Sequence, residues 1–186
     1  MRKALYMLGV LDDVDIEWLA EHGTVEHLHA GTVLINEGEP VSSLYIVLEG
    51  HLRVTAGRKN PVRIAHLLPG EIVGEISLID SRPPAASVTA EEDSQVFAIS
   101  REMLTAKLAR DHGFAERFYL AIARFLADRL WVTVGRFGYG SPQQDADIDA
   151  LKDSSLDDIS LAAVRFDAFL KRLRGNYAVH SAVALV

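Results

Sequence analysis

Gly70-Glu71-Ile72-Val73-Gly74-Glu75-Ile76-Ser77-Leu78-Ile79-Asp80-Ser81-Arg82-Pro83-Pro84-Ala85-Ala86-Ser87-Val88-Thr89-Ala90 is the stretch on which the reading of the fold turns. It runs as a glycine turn, a short apolar strand, a second glycine followed by a glutamate, one apolar turn of helix, a proline loop and a new strand. A glycine at position 74 can take positive φ and lets the backbone come close to a ligand. The amides of Glu75, Ile76 and Ser77 then stand at a short helix start. Unpaired N–H groups and the helix dipole both favour an anion at such a start. A buried strand–turn–helix connection with no ligand fits the local pattern equally well.

Outward from this stretch, short β-rich runs follow one another at 32–35, 44–49, 52–56, 62–67 and 96–99. Gly31, Gly38, Gly50, Gly57 and Gly70 punctuate them. Between 25 and 30, Val25, His27 and His29 share one strand face and Glu26, Leu28 and Ala30 the other. Neither of those faces is cleanly apolar. Many short strands separated by glycine turns predict a sandwich, a barrel or a jelly roll.

Gly74-Glu75-Ile76-Ser77-Leu78, followed by Ala86-Ser87-Val88-Thr89-Ala90, resembles the phosphate-binding cassette of the cyclic-nucleotide-binding domain family. That family includes the bacterial catabolite activator protein and the regulatory subunits of protein kinase A. Gly31-Thr32-Val33-Leu34-Ile35-Asn36-Glu37-Gly38-Glu39 looks like the family's strand and turn before its first long hairpin. Leu44-Tyr45-Ile46-Val47-Leu48-Glu49-Gly50-His51-Leu52-Arg53-Val54 looks like the hairpin itself. The resemblance covers residues 8–137. It implies a mainly β fold with flanking helices: a cyclic-nucleotide-binding-type jelly roll, a long C-terminal helix and an extra terminal helix.

The resemblance also implies a site. The amides of Gly74, Glu75, Ile76 and Ser77 would hold a cyclic phosphate, and Glu75 would bond the ribose 2′-hydroxyl. Thr133 falls where the family's long helix approaches the base. The ligand implied is cyclic AMP or cyclic GMP, and no other cofactor is expected. The family places an arginine just before a Ser/Thr-Ala pair to neutralise the phosphate. Aligned on Val88-Thr89-Ala90, this chain has Pro84 at the arginine and Ala85 at the hydroxyl. The nearest arginine is Arg82, two residues early and followed by two prolines. Ser87 completes the loop's set of candidate ligand-binding residues.

The elements around the β runs read as helices. Residues 8–22 carry Leu11, Ile16, Leu19 and Ala20 at helical spacing, with Asp12 and Asp13 near the helix start. Ser100 is a candidate N-cap for a helix that follows it. A longer helix is predicted over 114–137, with Gly135 and Gly138 at its end. Phe118, Phe125 and Val132 repeat every seven residues, and Ala121 permits close approach between the first two. The resemblance implies that this helix both covers the nucleotide and pairs with a second subunit. Phe118, Ala121, Phe125 and Val132 are therefore the expected interface of a homodimer.

Three regions are expected: a β-roll domain with its helices at 1–138, a linker at 139–154, and a helix and tail at 155–186. The last helix carries one apolar stripe through Ile159, Ala162, Ala163, Phe166, Phe169, Leu170 and Leu173. That stripe must dock on its own barrel, on a second subunit or on an unidentified protein partner.

The chain has 186 residues, of which 49% are hydrophobic and 24% charged, and it holds no cysteine. That composition fits a soluble globular protein with a real core. The absence of cysteine excludes disulfides and thiolate metal sites and agrees with a cytoplasmic location. A formal net charge of −7 argues against a nucleic-acid surface. No pattern of three helices with a basic recognition helix follows the long helix, so no nucleic-acid partner is expected. There is no run of apolar residues long enough for a membrane span.

His27-Leu28-His29 places two imidazoles on one strand face, as in cupin metal sites, but Val33 and Leu34 stand where a glutamate ligand is needed. No metal site is expected, and no nucleophile elbow, Walker loop or paired-carboxylate motif points to an enzyme. The function expected is a non-enzymatic regulatory or interaction protein whose nucleotide binding is weak or lost at Pro84. The alternative is a working cyclic AMP or cyclic GMP sensor that signals through its terminal helices.

Overall fold

The structure is a computed structural model that describes residues 9–136, 164–166 and 168–173. The expected linker at 139–154 and the tail from 177 lie outside the described residues. The eight strands described are β1 (Thr24–Leu28), β2 (Val33–Ile35), β3 (Ser43–Glu49), β4 (Leu52–Ala56), β5 (Val62–Leu67), β6 (Ile72–Val73), β7 (Ser87–Ala90) and β8 (Ser94–Ser100). They form two antiparallel four-stranded sheets, ordered β1-β8-β3-β6 and β2-β7-β4-β5. The helices are α1 (Asp13–His22), α2 (Glu75–Asp80), α3 (Arg101–Arg110) and α4 (His112–Arg136). Residues 164–166 and 168–173 are also helical. The architecture is the jelly roll with flanking helices that the cassette and glycine-punctuated strands imply.

The first sheet is buried on both faces, which explains the unbroken apolar run of β3. Tyr45 and Val47 point into the space between the sheets, with Val73, Val96 and Ala98. Leu44, Ile46 and Leu48 point the other way, with Phe97 and Ile99, into a second core made with the helices. The period of two along a strand allows one segment to serve both cores. β1 is the exception that blurred its own pattern: only Leu28 is buried, and His27 is exposed. His29 lies beyond the strand, with Nδ1 3.6 Å from Asp93 Oδ1.

α1 starts at Asp13, later than the apolar spacing predicts, because Asp12 caps it. The Asp15 amide donates to Asp12 Oδ1 and the Asp12 amide to Asp15 Oδ2, both at 3.0 Å, forming a capping box. Asp15 is 3% exposed and is held by Arg117 of α4 through two bonds of 2.6 and 2.9 Å. Asp111 does the same job between α3 and α4: its Oδ1 accepts the Phe114 amide at 2.9 Å. Ser100 stands at the N-cap of α3 as expected, but its side chain makes no capping bond.

The expected dimer seam requires correction. Phe118, Ala121 and Phe125 are each 0% exposed within the single chain, where they fill the core under the first sheet. A heptad repeat reports that one helix face is covered; here the chain's own barrel covers it. Val132 stands apart from them at 38% exposed. The described part of the terminal helix also docks on its own barrel. Phe169 is 0% exposed and meets the Phe97 ring edge-on at 5.0 Å, and Leu173 is buried beside it. Arg165 ties this segment to the α1 region by donating to Leu11 O at 2.9 Å and Asp13 Oδ1 at 3.1 Å.

The Asp15–Arg117 pair makes a checkable contribution to stability. Burial by itself raises the Asp15 carboxyl; the Arg117 hydrogen bonds, the Asp12 amide and the Arg117 charge outweigh that and leave it below its ordinary value. A carboxyl depressed in the folded state stabilises above its unfolded value of about 3.9 and loses that effect as pH falls through the folded value. Arg117→Gln is expected to cost about 1.5–3 kcal/mol at neutral pH. Thermal melts followed by circular dichroism should show the gap between parent and variant closing in acid. A gap that stays constant down to about pH 2 would mean that Asp15 is not the group involved.

Candidate functional site

The candidate site is built where β6 runs into α2. Gly74 adopts φ 92° at the N-cap of α2, the conformation expected of it. A β-carbon there would lie 2.6 Å from Ser43 O, so both the backbone and the neighbouring strand exclude a larger residue. The turn places Glu75 at the first position of α2. Its side chain is directed inward and is 2% exposed. The first amide of this segment bonded back is that of Leu78, which donates to Gly74 O at 3.1 Å. The amides of Glu75, Ile76 and Ser77 thus occupy the helix start, as helical geometry dictates.

A residue that local sequence patterns do not single out completes the site. Arg129 of α4 reaches across to Glu75, with Nη1 2.5 Å from Glu75 Oε1. Its Nη2 donates to Ile72 O at 3.1 Å and lies 4.0 Å from Glu71 Oε2. The guanidinium sits over the Phe125 ring, 4.7 Å from the centroid. A strand carbonyl, a buried carboxylate and an aromatic face therefore locate one cation. Burial pushes the Glu75 carboxyl up, and the Arg129 charge and Glu75's own amide only partly offset it, while Glu71 adds to the rise. Glu75 thus lies above the ordinary carboxylate value despite its partner.

Other candidate residues come to the site unevenly. Ser77 is buried, and its hydroxyl donates to Arg82 O at 3.0 Å. Ile76 is 53% exposed on the outer side of α2. The Arg82 guanidinium pairs with Asp80, and its side chain is 78% exposed. Pro84 fixes the following path, with its carbonyl accepting the Gly38 amide at 2.8 Å. Ala85 is exposed. The Ser87 hydroxyl accepts the Glu37 amide at 3.0 Å, which ties the loop to the turn after β2. Thr133 lies one turn beyond Arg129 on α4 and donates to Arg129 O at 2.7 Å.

A left-handed glycine thus opens a short helix, and its inward glutamate meets a long helix laid across it. Residues 25–111 match the family described as the cyclic nucleotide-binding domain. This chain is 32% identical over 114 residues to the Pycsar effector protein XpPycTIR of Xanthomonas perforans, a match over 61% of this chain and 37% of the relative. This chain thus spans little more than a third of that relative's length.

Among solved structures, the N-terminal domain of a transcriptional regulator from Streptomyces coelicolor A3(2) is 28% identical with a TM-score of 0.59, over 67% of this chain and 90% of that one. The regulatory domain of Toxoplasma gondii PKA, solved with cAMP, is 26% identical with a TM-score of 0.51, over 54% and 39% of the two chains. No described helix of this chain is long and apolar enough to cross a membrane.

Proposed function

We propose that this chain is a non-enzymatic regulatory or interaction protein built on a cyclic nucleotide-binding domain whose nucleotide binding is weakened at Pro84. The observation that carries the reading is a cassette with an intact backbone and no cation from its loop. Gly74 and Glu75 are in position, Pro84 occupies the arginine position, and Arg82 is paired with Asp80. Removing one side of a buried charge pair costs roughly 2–5 kcal/mol. At about 1.4 kcal/mol per tenfold, a micromolar site falls to about the millimolar range. A second reading, a working cyclic AMP or cyclic GMP sensor, is favoured by Arg129, which brings a cation to the site from α4 instead.

The proposal places the protein in the cytoplasm, which the absence of cysteine favours. It includes no nucleic-acid or membrane partner. It also includes a homodimer, with the seam moved to the outer face of α4. Leu120, Leu130 and Val134 are 46, 64 and 39% exposed, and Ala123 and Ala127 lie between them on the same face. These positions alternate at three and four residues, the spacing of a two-helix seam. A protein partner for the interaction reading stays unidentified; Phe169 and Leu173 of the terminal helix are committed to the core.

Two experiments test this reading. Calorimetry with cyclic AMP and cyclic GMP should show weak binding by the parent at neutral pH. The double variant Pro84→Arg/Ala85→Ser should bind cyclic AMP at least about tenfold tighter, a gain of about 1.4 kcal/mol. An unchanged affinity would count against Pro84 as the cause. For assembly, light scattering should report a dimer for the parent and folded monomers for Leu130→Glu, whereas Phe125→Glu should unfold the chain because its charge would be buried. A parent that is monomeric at micromolar concentration would remove the dimer from the proposal.

A further inference from the structure

The loop between α2 and β7 carries one cation, Arg82, and it is turned to Asp80; the site holds another. Three arginines approach the cassette among the described residues. Arg82 is paired with Asp80 at the surface. Arg101 donates to Ser81 Oγ at 2.8 Å, at the far end of α2 from Gly74. Arg129 alone reaches the buried side, and its side chain remains 29% exposed. We propose that Arg129 is the phosphate-neutralising cation of this site, and that its transfer from Glu75 to an anionic ribonucleotide makes binding proton-coupled. This rests on the cyclic-nucleotide reading of the site and deepens it.

The coupling follows from the neighbours of Glu75. The charged groups facing it are Arg129 from α4 and Glu71 from the turn before β6. The remaining charges near its own element, Asp80 and Arg82, pair with each other. When Arg129 turns to a phosphate, Glu75 keeps its burial and loses its cation. A carboxyl so placed prefers its neutral form. The site takes up one proton as the nucleotide enters, and the protonated carboxyl has an O–H to share with the ribose 2′-hydroxyl. Affinity then rises as pH falls from the liganded to the unliganded value of Glu75, by up to about tenfold per pH unit, and is flat beyond those limits.

The sign is set by the direction of charge transfer, so it separates this arrangement from a fixed ion pair. A Glu75–Arg129 pair that merely holds α4 in place would leave affinity insensitive to pH, or would weaken it as acid breaks the pair. Uptake of a proton on binding has no such structural counterpart.

The test is calorimetry of the whole chain with cyclic AMP at about pH 5.5 and about pH 8, in two buffers of different ionisation enthalpy. The expected result is tighter binding at the lower pH with net proton uptake. Glu75→Gln, already neutral, should bind at the higher pH as the parent does at the lower, and lose the pH slope. Arg129→Gln should lose binding at both. Should that variant fail to fold, the double variant Arg129→Gln/Glu75→Gln removes both charges at once and should likewise not bind. A flat or inverted slope in the parent, or parental affinity in either Arg129 variant, overturns the proposal. If Pro84→Arg/Ala85→Ser binds at both pH values while the parent binds at neither, the nucleotide site stands and the role of Arg129 falls. If that variant does not bind either, the site reading falls with it.

Discussion

A carboxylate that is 2% exposed has to find a cation, a set of donors or a proton, and Glu75 finds Arg129. Much of the molecule is arranged around that meeting. The glycine at 74 turns the chain so that α2 begins with its glutamate inside. Ile72 supplies a carbonyl that holds the arginine from below, and Phe125 supplies the ring it lies on. α4 is long enough to carry Phe114, Phe118, Ala121 and Phe125 over the first sheet and still deliver Arg129 to the cassette. The pair joins groups 54 residues apart and so ties the long helix to the β-roll at the start of α2. At its other end α4 is tied by Arg117 to Asp15 of α1. Two buried carboxylates thus hold the same helix near its two ends, and only the one at the cassette lies above its ordinary value.

That difference has a physical origin. Asp15 receives two bonds from Arg117 and one from the Asp12 amide, and these outweigh its burial. Glu75 receives one bond from Arg129 and has a second carboxylate nearby in Glu71. The first arrangement is a structural anchor. The second is strained electrostatically, which is the condition under which a charge can be handed to a ligand at modest cost.

Most of the fold was legible in the sequence. The strands at 52–56 and 62–67 were read with their observed limits because glycine turns bound them on at least one side. The β3 run was legible as a strand but not as one buried on both faces, since only the helices packed on the far side make it so. β1 resisted because a single buried Leu28 leaves no alternation to detect. The heptad of Phe118, Phe125 and Val132 was visible, but a repeat cannot say whether its cover comes from the same chain or another. In the site, Gly74 and Glu75 were legible because a turn and a helix start are local chemistry. Arg129 was not, because its partners lie far away in the chain; the one available signal was its place a single helical turn before Thr133.

The most direct measurement is the titration of the Glu75 carboxyl itself, by its carbon-13 chemical shift, in the unliganded protein between about pH 3 and about pH 9. A midpoint above the ordinary glutamate value of about 4.3, moving further up in Arg129→Gln, is the predicted result. A midpoint at or below that value, or one indifferent to Arg129, would contradict the account of how this cassette is held.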